Sequence, residues 1–164
     1  MKKIIVFDFD GTIANTIPVT ISILKKLYYD DYKKEVDDQF VESLRDKSIP
    51  EMFRAFNISI LKLPVIAART INAMNKEIQS MKPISGMEKV ISELKKQDKT
   101  LGIVSSNSVE SIKKFLKVNN LEVFDFVYSN SRVFGKSSSL KRLFKEYKVG
   151  KEDITYVGDE VRDI

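Results

Sequence analysis

The sequence predicts an α/β fold, a doubly wound parallel sheet with an all-helical segment inserted after the first strand. Three observations carry that prediction. Short apolar runs recur at residues 3–7, 100–104, 124–129 and 154–157 without polar alternation, the pattern of strands buried on both faces. From residue 83 onward these runs alternate with helical periodicities, as right-handed crossovers between parallel strands require. Between the first run and the second lie about ninety residues that contain no convincing strand.

The first run ends in "DFDGT", residues 8–12. A helical pattern follows near 17–29, "SIPE" at Ser48–Glu51 reads as a capping box opening a helix, and a longer periodic segment runs from Pro64 to Met81. Its apolar stripe is Leu63, Ala67, Ile71, Met74 and Ile78. This places a helical cap domain at 15–82 and a core domain at 1–14 and 83–164. "KPISGM" makes the return, with Pro83 and Gly86 as a hinge or a simple turn. In the core, helices are expected around Met87, Val90, Ile91 and Leu94, around Ile112, Phe115 and Leu116, and around Leu140, Leu143, Phe144 and Tyr147. The sequence ends five residues after Asp159, so the expected core lacks its last crossover and leaves an exposed sheet edge.

Composition narrows the chemistry. The chain of 164 residues has neither Cys nor His, which removes thiol nucleophiles, Cys/His zinc sites, disulfides and histidine-based triads. Carboxylates, Lys, Ser/Thr, Tyr and an oxygen-bound hard cation remain. The net charge of +5 is spread, with 13 basic and 11 acidic side chains in residues 1–82 and 15 and 12 in residues 83–164. A nucleic-acid binder concentrates its basic groups on one face, so no nucleic-acid partner is expected. No apolar run approaches the length of a membrane span, and the start "MKK" leads into too short an apolar stretch for a signal peptide. The expected location is cytoplasmic, with no membrane partner; oligomeric state is not legible.

Four stretches carry candidate chemistry. Asp8 and Asp10 follow a buried strand one residue apart, and strand alternation puts them on one side with Phe7 and Phe9 on the other. Two like charges held together call for a metal ion, a shared proton or solvent. Gly11 lets the backbone turn and come close to a ligand, and Thr12 offers a hydroxyl and an amide. An ordinary acidic turn would look similar.

Ser105, Ser106 and Asn107 also follow an apolar strand and precede a helix, either as an anion-binding cup or as a plain N-cap pairing Asn107 with Glu110. Lys136 opens another helix, where it opposes the dipole; an anion would explain it, and so would simple solvation. "YVGDEVRDI" closes the chain, with Asp159 and Asp163 one helical turn apart after the fourth strand. Acids in a first helical turn suit the dipole, but adjacent strands would also bring Asp159 toward Asp8 and Asp10, and converging carboxylates call for a divalent ion.

In this order and spacing the four motifs resemble the haloacid dehalogenase (HAD) superfamily of phosphotransferases, in the branch similar to phosphoglycolate phosphatase with a helical cap after the first motif. The resemblance covers essentially the whole chain and implies a HAD-like Rossmannoid core. It implies that Asp8 is the nucleophile forming an aspartyl phosphate, and that Asp10 protonates the leaving alcohol and later activates water. Mg²⁺ would be held by the Asp8 carboxylate, the Asp10 main-chain carbonyl and Asp159, supported by Asp163. Gly11, Thr12, Ser105, Ser106, Asn107 and Lys136 would receive the phosphate.

The implied activity is a Mg²⁺-dependent phosphatase acting on a small-molecule phosphate ester, with the cap closing over it. The second acid, Asp10, sets the chain apart from the dehalogenases that named the superfamily. A phosphomutase remains an alternative. So does a phosphonate hydrolase with a cap lysine such as Lys25, Lys26 or Lys62, and so does a non-catalytic HAD-like binding protein. One departure is Ser137 after Lys136, where many relatives carry proline.

Overall fold

The structure, a computed structural model, describes residues 3–44, 49–129 and 136–159, without the side chains of Ile49, Pro50, Phe53 and residues 136–138. The chain divides into two compact units, one of Met1–Ile17 with Ile78–Ile164 and the other of Pro18–Glu77.

The first unit is the predicted parallel sheet. Its strands are β1 (Ile4–Phe7), β2 (Thr100–Ser105), β3 (Phe126–Ser129) and β4 (Ile154–Val157), ordered β3-β2-β1-β4. β1 pairs in parallel with both β2 and β4, in the registers Phe7↔Ile103 and Phe7↔Val157. The chain therefore builds outward from β1 to β2 and β3, then returns to the other side of β1. That reversal opens a crevice at the carboxyl ends of β1 and β4, where open α/β sheets bind ligands.

Burial explains why these runs lack polar alternation. Ile4, Val6, Val104, Phe126 and Tyr128 form one buried cluster with Leu143 of α7 (Lys136–Tyr147). Phe7, Leu101 and Ile103 are also buried and, by strand periodicity, belong to the opposite face. Phe9, in line with Phe7, meets Phe115 of α6 (Val109–Val118) edge to face at 5.1 Å. α6 begins at Ser108, whose hydroxyl accepts from the Ser111 amide and caps the helix. α5 (Met87–Lys96) buries Ile91.

Within this sheet Gly102 has no room for a side chain, because an added Cβ would overlap the ring of Phe126 on the neighbouring strand. Gly102→Val is expected to destabilise the protein by about 3 kcal/mol, since overpacking displaces that ring. A fall in the urea midpoint at unchanged slope would register it; an unchanged midpoint would contradict it.

The second unit is helical, and its described residues include no strand. α1 (Ile17–Tyr32), the short α2 (Asp38–Glu42) and α3 (Ile49–Ala55) share an aromatic cluster, in which Tyr28 and Phe40 each lie about 5 Å from Phe56. Asp37 caps α2 by accepting from the Phe40 amide at 2.6 Å. Ser48 of the expected capping box lies outside the described residues. α4 (Leu63–Glu77) is tied to α1 by Arg69 and Asp31 at 2.6 Å.

α4 ends at Glu77, earlier than its apolar periodicity suggests, and Ile78 and Met81 are buried residues of the sheet unit instead. Ile71, on the expected stripe, is half exposed. Pro83 sits opposite Ala14 in an antiparallel bridge, with Asn15 N donating to Lys82 O and Ile84 N to Ile13 O, both at 2.9 Å. The segments leaving and rejoining the sheet unit are therefore stitched together. Among the described residues no helix is long and apolar enough to cross a membrane.

Candidate active site

β1 stops at Phe7, so a turn rather than the pleat brings Asp10 back toward Asp8. The turn is closed on itself: Ile13 N and Ala14 N both donate to Phe9 O, and Gly11 N donates to Ala14 O at 3.0 Å. Gly11 adopts φ +69°, the left-handed region that favours glycine. A second constraint acts there, because a Cβ on Gly11 would collide with the Asp159 carboxylate. With its N–H already committed to Ala14, the visible part Gly11 plays is to let Asp159 approach.

Asp159 arrives from the end of β4. Its neighbour strand is locked to the first motif by Asp8 N donating to Val157 O at 2.8 Å. Thr12 Oγ1 donates to Asp159 Oδ1 at 3.5 Å, the long limit for such a bond. Asp8 is buried, and its Oδ1 accepts from the Phe9 amide at 2.7 Å. The first and last motifs thus share one sheet edge.

Asp10 is strongly perturbed by its surroundings. Burial pushes its carboxyl from the ordinary 3.8 up to about 6; a hydrogen bond from Asn107 opposes this, the Asp8 charge adds to it, Thr16 opposes it, and the Asp159 charge adds again. Both neighbouring charges are negative. Asp10 Oδ2 accepts from Asn107 Nδ2 at 2.7 Å, whereas Asp10 Oδ1 is buried with no hydrogen-bond partner among the described residues.

The second motif lies at the end of β2. Ser105 is fully buried and its Oγ accepts from the Asn107 amide at 3.1 Å, which folds the loop back over the strand end. Ser106 is exposed. Asn107, expected to face a phosphate, turns its side-chain amide to Asp10. Lys136 is the first residue of α7, but its side chain lies outside the described residues, as does Asp163 altogether.

Thr16 was not singled out by the sequence and is nearly inaccessible to solvent beside Asp10. Its signal was a hydroxyl amid the buried Ile13 and Ala14, a few residues past the second acid.

Oxygen is the donor available for a metal, since the chain has no His or Cys. Among the described residues no three acidic side chains stand close enough to cage an ion by themselves. That suits a small hard cation, which is usually held by one or two carboxylates and keeps positions for water and phosphate oxygens. The crowding of Asp10 by the like charges of Asp8 and Asp159 fits the same group. Chemically, the edge sets the buried Asp8 carboxyl near the Asp10 carboxyl, whose charged form burial disfavours.

Known proteins resemble this chain in sequence and in fold. The family model described as haloacid dehalogenase-like hydrolase matches residues 5–164. The chain is similar to a phosphoglycolate phosphatase of Synechococcus elongatus, 26% identical over 161 residues, covering 98% of this chain and 76% of that protein. It is also similar to a phosphoserine phosphatase of Methanocaldococcus jannaschii, 26% identical over 178 residues, covering 99% and 80%. In fold it resembles a haloacid dehalogenase-like family hydrolase of Streptococcus pneumoniae, with a TM-score of 0.76 at 16% identity, covering 99% of this chain and 78% of that one. CbbY of Rhodobacter sphaeroides in complex with phosphate gives 0.68 at 18% identity, covering 98% and 79%.

Proposed function

Because the chain belongs to the haloacid dehalogenase-like hydrolases, we propose that it is a Mg²⁺-dependent phosphatase releasing inorganic phosphate from a small-molecule phosphomonoester. The observation that supports this reading is that the charges of Asp8 and Asp159 both act on Asp10 at the carboxyl edge of the sheet, where Gly11 leaves room for the Asp159 carboxylate. The names of the relatives, a phosphoglycolate phosphatase and a phosphoserine phosphatase, support a monoester substrate.

In this mechanism Asp8 attacks phosphorus with a carboxylate oxygen, and the bond to the leaving oxygen breaks as Asp10 delivers its proton there. The Asp10 carboxylate then takes a proton from water, whose oxygen attacks the aspartyl phosphate, releasing phosphate and restoring Asp8. Burial of Asp8 excludes competing water from the nucleophile. Ser105, Ser106, Thr12, the loop around Gly11 and Lys136 are assigned to the phosphate oxygens. Asp8, the Asp10 main-chain carbonyl and Asp159, supported by Asp163, would hold Mg²⁺, which when bound supplies positive charge against the phosphoryl oxygens. We assign 15–82 as the cap domain.

The test is phosphate release from p-nitrophenyl phosphate with Mg²⁺ present and after chelation with EDTA. Removing the metal should slow release at least about a hundredfold, reversed by adding Mg²⁺ back. Folded protein that releases no phosphate from a broad panel of aryl and alkyl esters in Mg²⁺ would end the proposal.

A further inference from the structure

The turn that receives Asp159 is held by its own local bonds. Ile13 N and Ala14 N donate to Phe9 O at 3.0 and 2.9 Å, and Gly11 N donates to Ala14 O at 3.0 Å. Thr12 sits inside that closed turn and is buried, so its hydroxyl needs a partner within the protein. Among the described residues that partner is Asp159 Oδ1, at 3.5 Å.

The other oxygen of Asp159 is placed by a missing side chain. Oδ2 lies where the Cβ of any other residue at position 11 would stand. The carboxylate is therefore met by a hydroxyl donor at one oxygen and by open glycine backbone at the other. Asp159 itself follows β4, whose end is fixed to the first motif by Asp8 N donating to Val157 O at 2.8 Å.

An acid that holds a metal ion must present its oxygens in one orientation, and a hydrogen bond to the carboxylate commonly sets it. We infer that Thr12 is a positioning residue, whose hydroxyl holds Asp159 Oδ1 and so turns that carboxylate toward a bound Mg²⁺. The inference rests on the phosphatase reading above. It divides the work of Thr12, whose side chain serves Asp159 while its backbone amide is left to the phosphate. Loss of the hydroxyl then weakens the hold on the cation without removing a phosphate contact.

Thr12→Val keeps the branched shape and removes the hydroxyl, Thr12→Ala is a second hydroxyl-free variant, and Thr12→Ser keeps the hydroxyl. The dissociation constant of Mg²⁺ is measured without substrate, from the rise in melting temperature as Mg²⁺ is added to chelator-stripped protein. It should increase about fivefold or more in Thr12→Val and Thr12→Ala and stay within about twofold in Thr12→Ser. The Mg²⁺ concentration giving half-maximal release from p-nitrophenyl phosphate should move in parallel. The inhibition constant of inorganic phosphate at saturating Mg²⁺ should change by less than about twofold. Metal-free melts establish which variants are folded, and either hydroxyl-free one suffices. Unchanged Mg²⁺ affinity in a folded hydroxyl-free variant would overturn the inference, as would an equal loss in Thr12→Ser or weakened phosphate inhibition with Mg²⁺ affinity intact. So would an unsubstituted protein whose melt ignores Mg²⁺. An unsubstituted protein that binds Mg²⁺ yet cleaves no ester would instead strike the phosphatase reading, and the melts would still decide the part of Thr12.

Discussion

Asp10→Asn is expected to make the metal-free protein more heat-resistant while stopping turnover. The carboxyl of Asp10 titrates at about 6 in the folded chain against an ordinary 3.8, chiefly because burial disfavours its charge. The folded state therefore binds the proton more tightly than the unfolded one. Well below 3.8 the group is neutral in both states and contributes no penalty. As pH rises through the interval from 3.8 to 6 the unfolded chain ionises first, and stability is lost until both forms are ionised. Above that interval the penalty is complete, and a gap of about two units corresponds to roughly 3 kcal/mol.

Asparagine keeps an oxygen for Asn107 and offers an N–H₂ toward the acids that crowd Asp10, without a buried charge. In EDTA at pH 7.5 its melting temperature should exceed that of the parent by about 3–10 °C, corresponding to a gain of about 1–3 kcal/mol. At about pH 3, below both titrations, the two melts should converge. Turnover should fall by about a hundred- to ten-thousandfold with leaving groups that need a proton. A variant less stable than the parent at pH 7.5, or a gap that persists undiminished at about pH 3, would show that the charge of Asp10 is not what strains the site.

Asp8→Asn should abolish phosphate release, by at least about a thousandfold, since a neutral amide lacks the nucleophilic oxygen. The folded state should survive the change, because the Asn side-chain oxygen can still accept from the Phe9 amide in place of Oδ1. The sharper measurement is mass spectrometry of acid-quenched turnover mixtures. The parent should carry a phosphoryl group on the peptide containing Asp8, and the variant should carry none. Residual turnover within tenfold of the parent would move the nucleophile elsewhere.

Much of this was legible because strand ends announce themselves. An apolar run without alternation followed by acids or small hydroxyl residues marks a carboxyl edge, and Asp8, Asp10, Ser105 and Asp159 all carry that local mark. What the sequence could not supply is partnership across distance. The periodicity of Ile78 and Met81 continues the helix on paper, yet both are buried in the sheet unit, since spacing alone does not say which apolar surface a residue meets. The five-residue α2 is too short to show a period, although Asp37 before it was a readable cap. The bond between Asn107 and Asp10 could not be read from either motif, because the two residues lie 97 positions apart. Thr16 was overlooked for the same reason, its place beside Asp10 being set by a closed turn and not by a motif.

The pairing of β1 with β4 has a further effect on how the protein comes to life during synthesis. The acids of the first motif leave the ribosome early, but Thr12 meets Asp159 only after another 147 residues have been made. Helical segments between them can form as they emerge, through local contacts that close quickly. The edge shared by the first and last motifs cannot, because Asp159 follows Thr12 by 147 residues. A nascent chain thus has only one wall of that edge until β4 docks.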